Sequence, residues 1–456
     1  MILDDTIIAI STPLGYGGLG VVRLSGSGSL DITQRIFKPK QDLEKIPPRR
    51  PVLGNLCDFE RKEFIDEAYL IFFPKPCTYT REDMTEISCH GSPVLLEEVV
   101  RLGIKAGARH ANPGEFTLRA YLNGRIDILQ AEAVNDLITA SSLDQAKISF
   151  RQLEGSLSKK LSNMRRQIIS LLSQIEASLE FPDEGLRISR QTLSGTLNRT
   201  EKTVEKLISS FDLGKVLSEG VSLVIAGRTN VGKSTLFNAL IQKNRAIVTP
   251  YPGTTRDYLQ EKLMIGKIVF TLTDMAGIGT PAHPVEKEGI KRGKKMAASG
   301  EGILIVLDAS RQDTPEDRKF IKKYGQKKAI LLFNKTDLPI RMDVKKMKNI
   351  NQEIPRLEIS ALKGTNLDKL KELISSQFVP ERKKGEEIIL HLRQKLILED
   401  IYAALHQARI LLKEGYPEEF LSEEIRKTIP LLGQLSGEIR DEEVIESMFS
   451  RFCVGK

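Results

Sequence analysis

The run Gly227-Arg228-Thr229-Asn230-Val231-Gly232-Lys233-Ser234 fits G-x-x-x-x-G-K-[ST] without departure. Glycines at these spacings let backbone N–H groups close on phosphate oxygens, and a helix opening at the end of the run adds positive potential. Lys233 is placed to reach the β- and γ-phosphates and the Ser234 hydroxyl to ligate Mg2+. Further pieces follow in the order a GTPase requires. In Asp274-Met275-Ala276-Gly277, Asp274 can hold Mg2+ through water and the Gly277 amide can meet the γ-phosphate. In Asn334-Lys335-Thr336-Asp337, the Asp337 carboxylate can accept both the N1–H and the exocyclic amine of guanine. Adenine lacks that donor pair, so the motif selects GTP over ATP. Ser360-Ala361-Leu362 backs the base.

Between the first two motifs lies Gly253-Thr254-Thr255-Arg256-Asp257. Thr255 is the natural switch threonine, closing on Mg2+ and the γ-phosphate, which makes this loop an order–disorder element. The expected GTP contacts are Asn230, Val231, Gly232, Lys233, Ser234 and Thr235; Thr249, Pro250, Tyr251, Pro252, Gly253, Thr254 and Thr255; Asp274, Met275, Ala276 and Gly277; and Asn334, Lys335, Asp337, Ser360 and Ala361.

Where Ras-like GTPases carry a water-orienting glutamine, this chain has Ile278, which cannot hydrogen-bond water. Glu286 and Glu288 are the candidates to replace it; both read equally as solvated helix surface. Arg228 and Arg256 are undirected as arginine fingers. A monovalent cation can supply that charge, using the Asn230 carboxamide and backbone carbonyls of Thr249–Thr254, although Asn230 also reads as neutral filler.

These residues need a scaffold. Short apolar runs at Val221–Ala226, Ile268–Thr273, Ile303–Asp308, Ala329–Phe333 and Leu357–Ser360 alternate with helical segments such as Thr235–Leu240. That spacing predicts a parallel sheet covered on both faces. Residues 1–120 read as mixed α+β. Leu161, Met164, Ile168, Leu172, Ile175 and Leu179 share a helix face, and so do Ile397, Ile401, Leu405, Ala408 and Leu412. Phe378–Glu387 reads as a linker. Helical sequence on both sides of the α/β block predicts one helical domain interrupted by an insertion. The expected division is 1–120, 121–217, 218–378 (the inserted domain) and 379–456.

Composition agrees with a soluble multidomain chain: 456 residues, 40% hydrophobic and 28% charged, with a net charge of +8 that permits nucleic-acid binding. No run suits a membrane helix, and the acidic start argues for a cytoplasmic protein. Cys57, Cys77, Cys89 and Cys453 form no C-x-x-C pair, so neither a disulfide framework nor zinc is expected. Gly15-Tyr16-Gly17-Gly18-Leu19-Gly20 matches G-x-G-x-x-G but leads into the strand-like Val21–Leu24 rather than a helix, which excludes a dinucleotide fingerprint and suggests a turn. Arg23 then reads either as an exposed strand arginine or as a clamp on a carboxylate. Cys89 and His90, adjacent on a strand, point to opposite faces. The ending Phe452-Cys453-Val454-Gly455-Lys456 reads equally as a frayed terminus or an active-site tail.

Thr12–Gly26, Tyr79–Gly91 (YTREDMTEISCHG), Asn112–Ala133, the GTTRD loop and the FCVGK ending together resemble the MnmE (TrmE) family of tRNA-modifying GTPases, over essentially the whole chain. The resemblance implies an α+β N-terminal folate-binding and dimerising domain, an α-helical central domain and an inserted Ras-like α/β P-loop domain. It implies a homodimer that works with the flavoprotein MnmG. Together they place a carboxymethylaminomethyl or aminomethyl group on C5 of the wobble uridine of certain tRNAs. The carbon comes from 5,10-methylene- or 5-formyl-tetrahydrofolate. Arg23, Glu82, Arg125 and Lys456 would contact the folate and Cys453 would lie near it. The family often has lysine where Arg125 stands. Asn230, Thr249, Tyr251 and Thr254 would surround K+, Ser234 and Thr255 would hold Mg2+, and Glu286 would orient the hydrolytic water. GTP hydrolysis would be coupled to pairing of the two G domains. The alternatives are a ribosome-assembly GTPase, which would normally append an RNA-binding module, and a stand-alone folate-dependent transferase with a regulatory GTPase.

Overall fold

The computed structural model of the chain describes residues 5–41, 45–181, 189–242, 260–274, 301–325, 328–344, 347, 350, 352–381, 387–438, 445, 448–450 and 452–455. Its strands are β1 (Ile7–Ile10), β2 (Gly17–Ser25), β3 (Phe37–Pro39), β4 (Val52–Asp58), β5 (Glu63–Phe73), β6 (Met84–Gly91), β7 (Arg109–His110), β8 (Val221–Ala226), β9 (Gln260–Ile265), β10 (Ile268–Asp274), β11 (Gly302–Asp308), β12 (Ala329–Asn334) and β13 (Arg356–Glu358). Its helices are α1 (Ser29–Ile36), α2 (Pro93–Lys105), α3 (Glu115–Leu122), α4 (Ile128–Ile138), α5 (Leu143–Leu153), α6 (Ser156–Glu180), α7 (Arg190–Ser209), α8 (Phe211–Glu219), α9 (Lys233–Gln242), α10 (Pro315–Tyr324), α11 (Leu367–Phe378), α12 (Leu392–Glu414) and α13 (Glu418–Ser436). Two compact units form: Met1–Ile138 with Ser149–Thr200 and Ala403–Lys456, and Thr139–Ile148 with Glu201–Tyr402.

The first unit contains a sheet ordered β3-β4-β5-β6-β2-β1-β7. Its ladders are antiparallel except for β1 with β7. Alternation along the strands sorts the side chains. Ile8, Val22, Leu24 and Ile87 join Ile32, Ile36, Leu96 and Val99 of α1 and α2 in one core. Ile7 and Ala9 point the other way, into a smaller cluster with Met84, Ala111 and Phe116 of α3, against which Tyr79 packs. Arg23 alternates with Val22 and Leu24 and so belongs to this second face.

The helical part of the same unit runs α13 along α6. The buried stripe of α6 includes Leu161, Met164, Ile168, Leu172 and Ile175, as its spacing predicts. Leu171 and Ser178 are buried too, Ser178 donating to Glu418 of α13 at 2.7 Å, whereas Leu179 is only half-buried. On α12, Leu398, in the part of that helix that belongs to the second unit, takes the buried place expected of Ile397.

The second unit contains a sheet ordered β13-β12-β11-β8-β10-β9. All seven residues of β11 are buried. Leu304 and Val306 face a core with Leu236 and Phe237 of α9 and Leu370 of α11. Ile303, Ile305 and Leu307 face another with Ile321 of α10 and Met342. Two-sided burial is why these strands read as continuous apolar runs. The sheet is not purely parallel, however. β9 pairs antiparallel with β10 across the turn at Gly266 and Lys267, forming an edge hairpin that the apolar-run pattern does not reveal, because Glu261 and Lys262 interrupt it. Phe378, expected to open a linker, ends α11 and is buried against Gly302. The glycine run also differs from a simple turn: β2 already begins at Gly17 and carries a bulge between Gly17 and Gly20. No helix follows it directly, consistent with the rejected dinucleotide reading.

Among the described residues, no helix is long and apolar enough to cross a membrane, and no group of three His, Cys, Asp or Glu side chains could hold a metal ion. The four cysteines are free thiols.

Candidate functional site

The phosphate-binding run connects the central strand β8 to α9, whose first residue is Lys233. The loop reverses sharply, with Asn230 left-handed at φ +62° and Gly232 at φ +94°. At Gly232 a Cβ would lie 2.3 Å from the Asn334 carboxamide nitrogen, so glycine is required for conformation and space alike. Lys233 is buried and donates to the Arg228 carbonyl at 2.7 Å, which holds its ammonium across the loop. Ser234 and Thr235 lie exposed at the start of α9.

The N-K-x-D segment leaves the end of β12 and meets the phosphate loop side chain by side chain. Asn334, 2% exposed, donates to the Val231 carbonyl at 2.9 Å and accepts from the Ala361 N–H at 2.9 Å. Lys335 donates to the Asn230 carbonyl at 2.7 Å and to Asp308 at 2.6 Å. Ser360 donates to the Asp337 carboxylate at 2.6 Å and accepts from the Lys363 N–H at 3.1 Å. Asp337 is exposed at the rim, where a base edge can reach it. The four segments 227–235, 308, 334–337 and 360–361 therefore form one hydrogen-bonded assembly.

Asp308 is the member that sequence reasoning missed. Burial works to raise its pKa, but the Lys335 and Ser310 hydrogen bonds outweigh this and hold the carboxyl below the usual aspartate value. Its signal was available: an acid ends a wholly apolar strand, level with Asn334 in the parallel register. Arg228 is directed after all. It donates to Thr314 at 2.6 Å and pairs with Glu316 at 3.1 Å, at the capping box that opens α10.

In the first unit a cavity of about 490 Å³ opens on the face that carries Arg23. Its lining includes Arg49, Phe73, Cys77, Tyr79, Arg81, Glu86 and Arg125. The Arg125 guanidinium stacks 4.7 Å from the Tyr79 ring centre. Arg23 binds Glu86 through two N–H donors, at 2.7 and 2.9 Å, and stands 5.9 Å from the rings of Tyr79 and Phe116. Burial raises the Tyr79 hydroxyl pKa, and that hydroxyl shares a 2.9 Å hydrogen bond with Thr117. Behind the cavity, Glu82 accepts from Ser25 at 2.7 Å and from Arg119 at 3.1 Å. Arg119 is fully buried, binding Glu115 and Asp5 as well. Arg109 completes the cluster by donating to Glu115 and Asp5.

Sequence comparison adds independent findings. The model for the GTP-binding protein TrmE N-terminus matches residues 6–125, and that for the MnmE helical domain matches residues 128–453. The tRNA modification GTPase MnmE of Alkaliphilus metalliredigens is 39% identical over 463 aligned residues, covering 100% of both chains. The protein of that name from Thermotoga maritima is 39% identical, covering 99% of this chain and all of its own. That from Natranaerobius thermophilus is 37% identical with the same coverage.

The chain belongs to the MnmE family.

The MnmE resemblance directs attention to the C-terminal tail. Phe449 and Phe452 are buried, with ring centres 5.1 Å apart, and Phe452 lies against Gly114. The Cys453 carbonyl accepts from the Gly114 N–H at 3.3 Å, and Ser11 donates to the Gly455 carbonyl at 3.2 Å. At Gly455, φ is +92° and a Cβ would lie 2.1 Å from the Ile10 carbonyl oxygen. Residues 452–455 are docked on the first unit through these contacts. Cys453 itself is exposed.

Of the residues that the MnmE resemblance assigns to folate, Arg23 and Arg125 converge on Tyr79, and Glu82 lies in the adjoining ion cluster. Lys456 lies outside the described residues, as do Thr249, Pro250, Tyr251, Pro252, Gly253, Thr254, Thr255, Met275, Ala276, Gly277, Glu286 and Glu288. Asp274 ends β10, and only its backbone is described. Cys89 is buried, with burial raising its pKa to about 11, while His90 is exposed. The two share no site.

Proposed function

We propose that this MnmE-family chain hydrolyses GTP and that hydrolysis serves modification of the wobble uridine of tRNAs, in partnership with MnmG. The observation that carries the reading is the double hydrogen bond of Asn334. It joins the loop suited to phosphates to the segment suited to guanine, so one ligand spanning both orders both. Asp337, held by Ser360, accepts the two guanine donors. Lys233 turns its ammonium to the β- and γ-phosphate oxygens, where negative charge collects during phosphoryl transfer.

Mg2+ would be held by Ser234, together with Thr255 and Asp274, and would neutralise phosphate charge. The exposed Ser234 hydroxyl at a helix N-terminus suits it. K+ would be held by Asn230, Thr249, Tyr251 and Thr254, supplying the charge that an arginine finger supplies elsewhere. The left-handed, exposed Asn230 fits that place, and Arg228, engaged with Thr314 and Glu316, is not available for it. Glu286 orients the hydrolytic water, and the G domains of a homodimer meet across the nucleotides.

A tetrahydrofolate supplies the one-carbon unit when bound. The cavity beside Tyr79 fits its chemistry, with aromatic walls for the ring system and arginines for its carboxylates. Arg23, Arg125, Glu82 and Lys456 would hold it, with Cys453 close by.

The test is GTP turnover in matched potassium and sodium chloride. Turnover at least tenfold faster in K+ supports the account, and equal rates remove the cation from it. Loss of tRNA modification without any folate requirement would return the N-terminal pocket to the unassigned.

A further inference from the structure

Resting on the folate reading above, we infer that Arg49 and Arg81, at the mouth of the Tyr79 cavity, bind the carboxylates of a γ-linked glutamate chain, so that the folate this chain takes is the polyglutamylated form. Both line the cavity together with Arg125, and all three are exposed, whereas Tyr79 is half-buried and Met84 is buried. The guanidiniums therefore stand on the solvent side, over an aromatic and apolar floor. At about 490 Å³ the hollow suits one ligand with a flat ring system, whose carboxylate tail leaves past that rim.

Backbone strain singles out the two outer arginines. Among the described residues, six other than glycine have a left-handed φ. Asn230 and Lys335 belong to the nucleotide site, and Arg49 at +59° and Arg81 at +62° belong to this cavity. Glycine takes that conformation freely and arginine does not, and strain of this kind gathers at ligand clamps. Both segments are tied down. The Arg49 N–H donates to the Phe72 carbonyl at 2.7 Å, where Pro48 bridges to β5. Around Arg81, the Thr78 hydroxyl donates to the Glu82 carbonyl at 2.6 Å and the Asn123 carboxamide to the Thr80 carbonyl at 2.7 Å.

The side chains are aimed as well. Arg49 donates to the Cys77 carbonyl and Arg81 to the Asn123 carbonyl, each at 2.8 Å. A neutral carbonyl occupies one of the five N–H donors of a guanidinium and leaves its charge in place for a second partner. Arg125 stacks on Tyr79, and the Glu86 carboxylate in the lining is held by Arg23. Guanidinium forks match carboxylates. A single glutamate tail brings two carboxylates to a rim of three arginines, and each further γ-linked residue adds one, spaced along a flexible polar chain.

Isothermal titration calorimetry of the full chain with 5-formyl-tetrahydrofolate bearing one or four glutamates tests this. Wild type should bind the tetraglutamate about tenfold more tightly, as two exposed ion pairs allow, and added salt should narrow the gap. In Arg49→Gln/Arg81→Gln the ratio of the two affinities should fall to near one, and Arg49→Lys/Arg81→Lys should keep most of it. Arg49→Gly/Arg81→Gly separates function from structure. Relieved of the left-handed strain, it should melt no lower than wild type while losing the preference. A glycine pair that melts lower and keeps the preference would make the arginines structural and overturn the inference. Equal affinity of wild type for the two ligands, or equal loss of both in the glutamine pair, would also overturn it and leave the folate reading standing. A preference kept by the glutamine pair, with tRNA affinity lost instead, would give the rim to RNA phosphates and overturn it too. If wild type binds neither ligand, the folate reading fails and takes the inference with it.

Discussion

Asn334 reaches the Val231 carbonyl at 2.9 Å while its own carboxamide oxygen takes the Ala361 N–H, so a single buried side chain fixes the spacing between the phosphate loop and the base loop. Replacing it with alanine leaves a buried carbonyl and a buried N–H unsatisfied, at about 1–3 kcal/mol each. Asn334→Ala should therefore lower the unfolding free energy of the GTPase unit by several kcal/mol. It should also weaken guanine-nucleotide binding at least tenfold. Titration with a fluorescent GDP analogue and chemical denaturation measure the two effects. A nucleotide affinity equal to wild type would mean the tie has no part in binding.

Asp337 should decide the base. Two charge-assisted hydrogen bonds to guanine contribute about 1.5–3 kcal/mol each. Asp337→Asn keeps the acceptor for N1–H but presents an amide donor to the guanine amine. GTP affinity should fall by about a hundredfold or more, while xanthosine triphosphate, with a carbonyl in place of that amine, should gain. Competition binding with the two nucleotides reads this directly, and an unchanged preference for GTP would displace Asp337 from its role.

The ion cluster under the Tyr79 cavity should make the first unit acid-sensitive. Burial raises the Glu115 pKa, but Arg109, the Asn112 N–H and Arg119 outweigh it, leaving the carboxyl below its ordinary value of 4.5. As pH falls, the unfolded chain takes up the proton first. The stabilisation is thus complete above about pH 4.5 and is lost as pH drops through the depressed native value. Glu115→Gln should cost about 3 kcal/mol at neutral pH, because it strips one partner from the fully buried Arg119. Its deficit relative to wild type should shrink steadily below pH 4.5. A deficit that stays constant to pH 3 would show that packing, not charge, is responsible.

Gly455→Ala tests the docked tail. With φ at +92° and the Ile10 carbonyl oxygen 2.1 Å from the new methyl, the chain must lift away. Carboxypeptidase should trim the variant faster than wild type and hydrogen exchange at the Gly114 amide should rise, while GTP affinity remains unchanged. Equal trimming would mean the Ser11 and Gly114 contacts do not hold the terminus.

Much of the GTPase unit is readable in the sequence, because two-sided burial turns its strands into unbroken apolar runs and phosphate chemistry permits few loop sequences. Val221–Ala226 is predicted to the residue. The edge hairpin of β9 is not, since an edge strand faces water on one side and its polar residues hide the pattern. The contacts that assemble the site are less legible still. Asp308 and Lys335 are 27 positions apart and meet only because β11 and β12 are in parallel register. In the N-terminal unit, Arg23 and Glu82 stand out through the family resemblance. The partners that fix them, Glu86 and Arg119, carry no local signal, because strand pairing and helix packing bring them together over 63 and 37 positions.

The central claim is that this chain's GTP hydrolysis serves modification of the wobble uridine. Nucleoside mass analysis of bulk tRNA, from cells lacking the gene and from cells carrying either the wild-type chain or Lys233→Ala, tests it most directly. The account predicts C5-modified uridines with the wild-type chain and their loss in both other strains. Full modification in the Lys233→Ala strain would contradict the account, and unchanged uridines in the deletion would point instead to work on the ribosome.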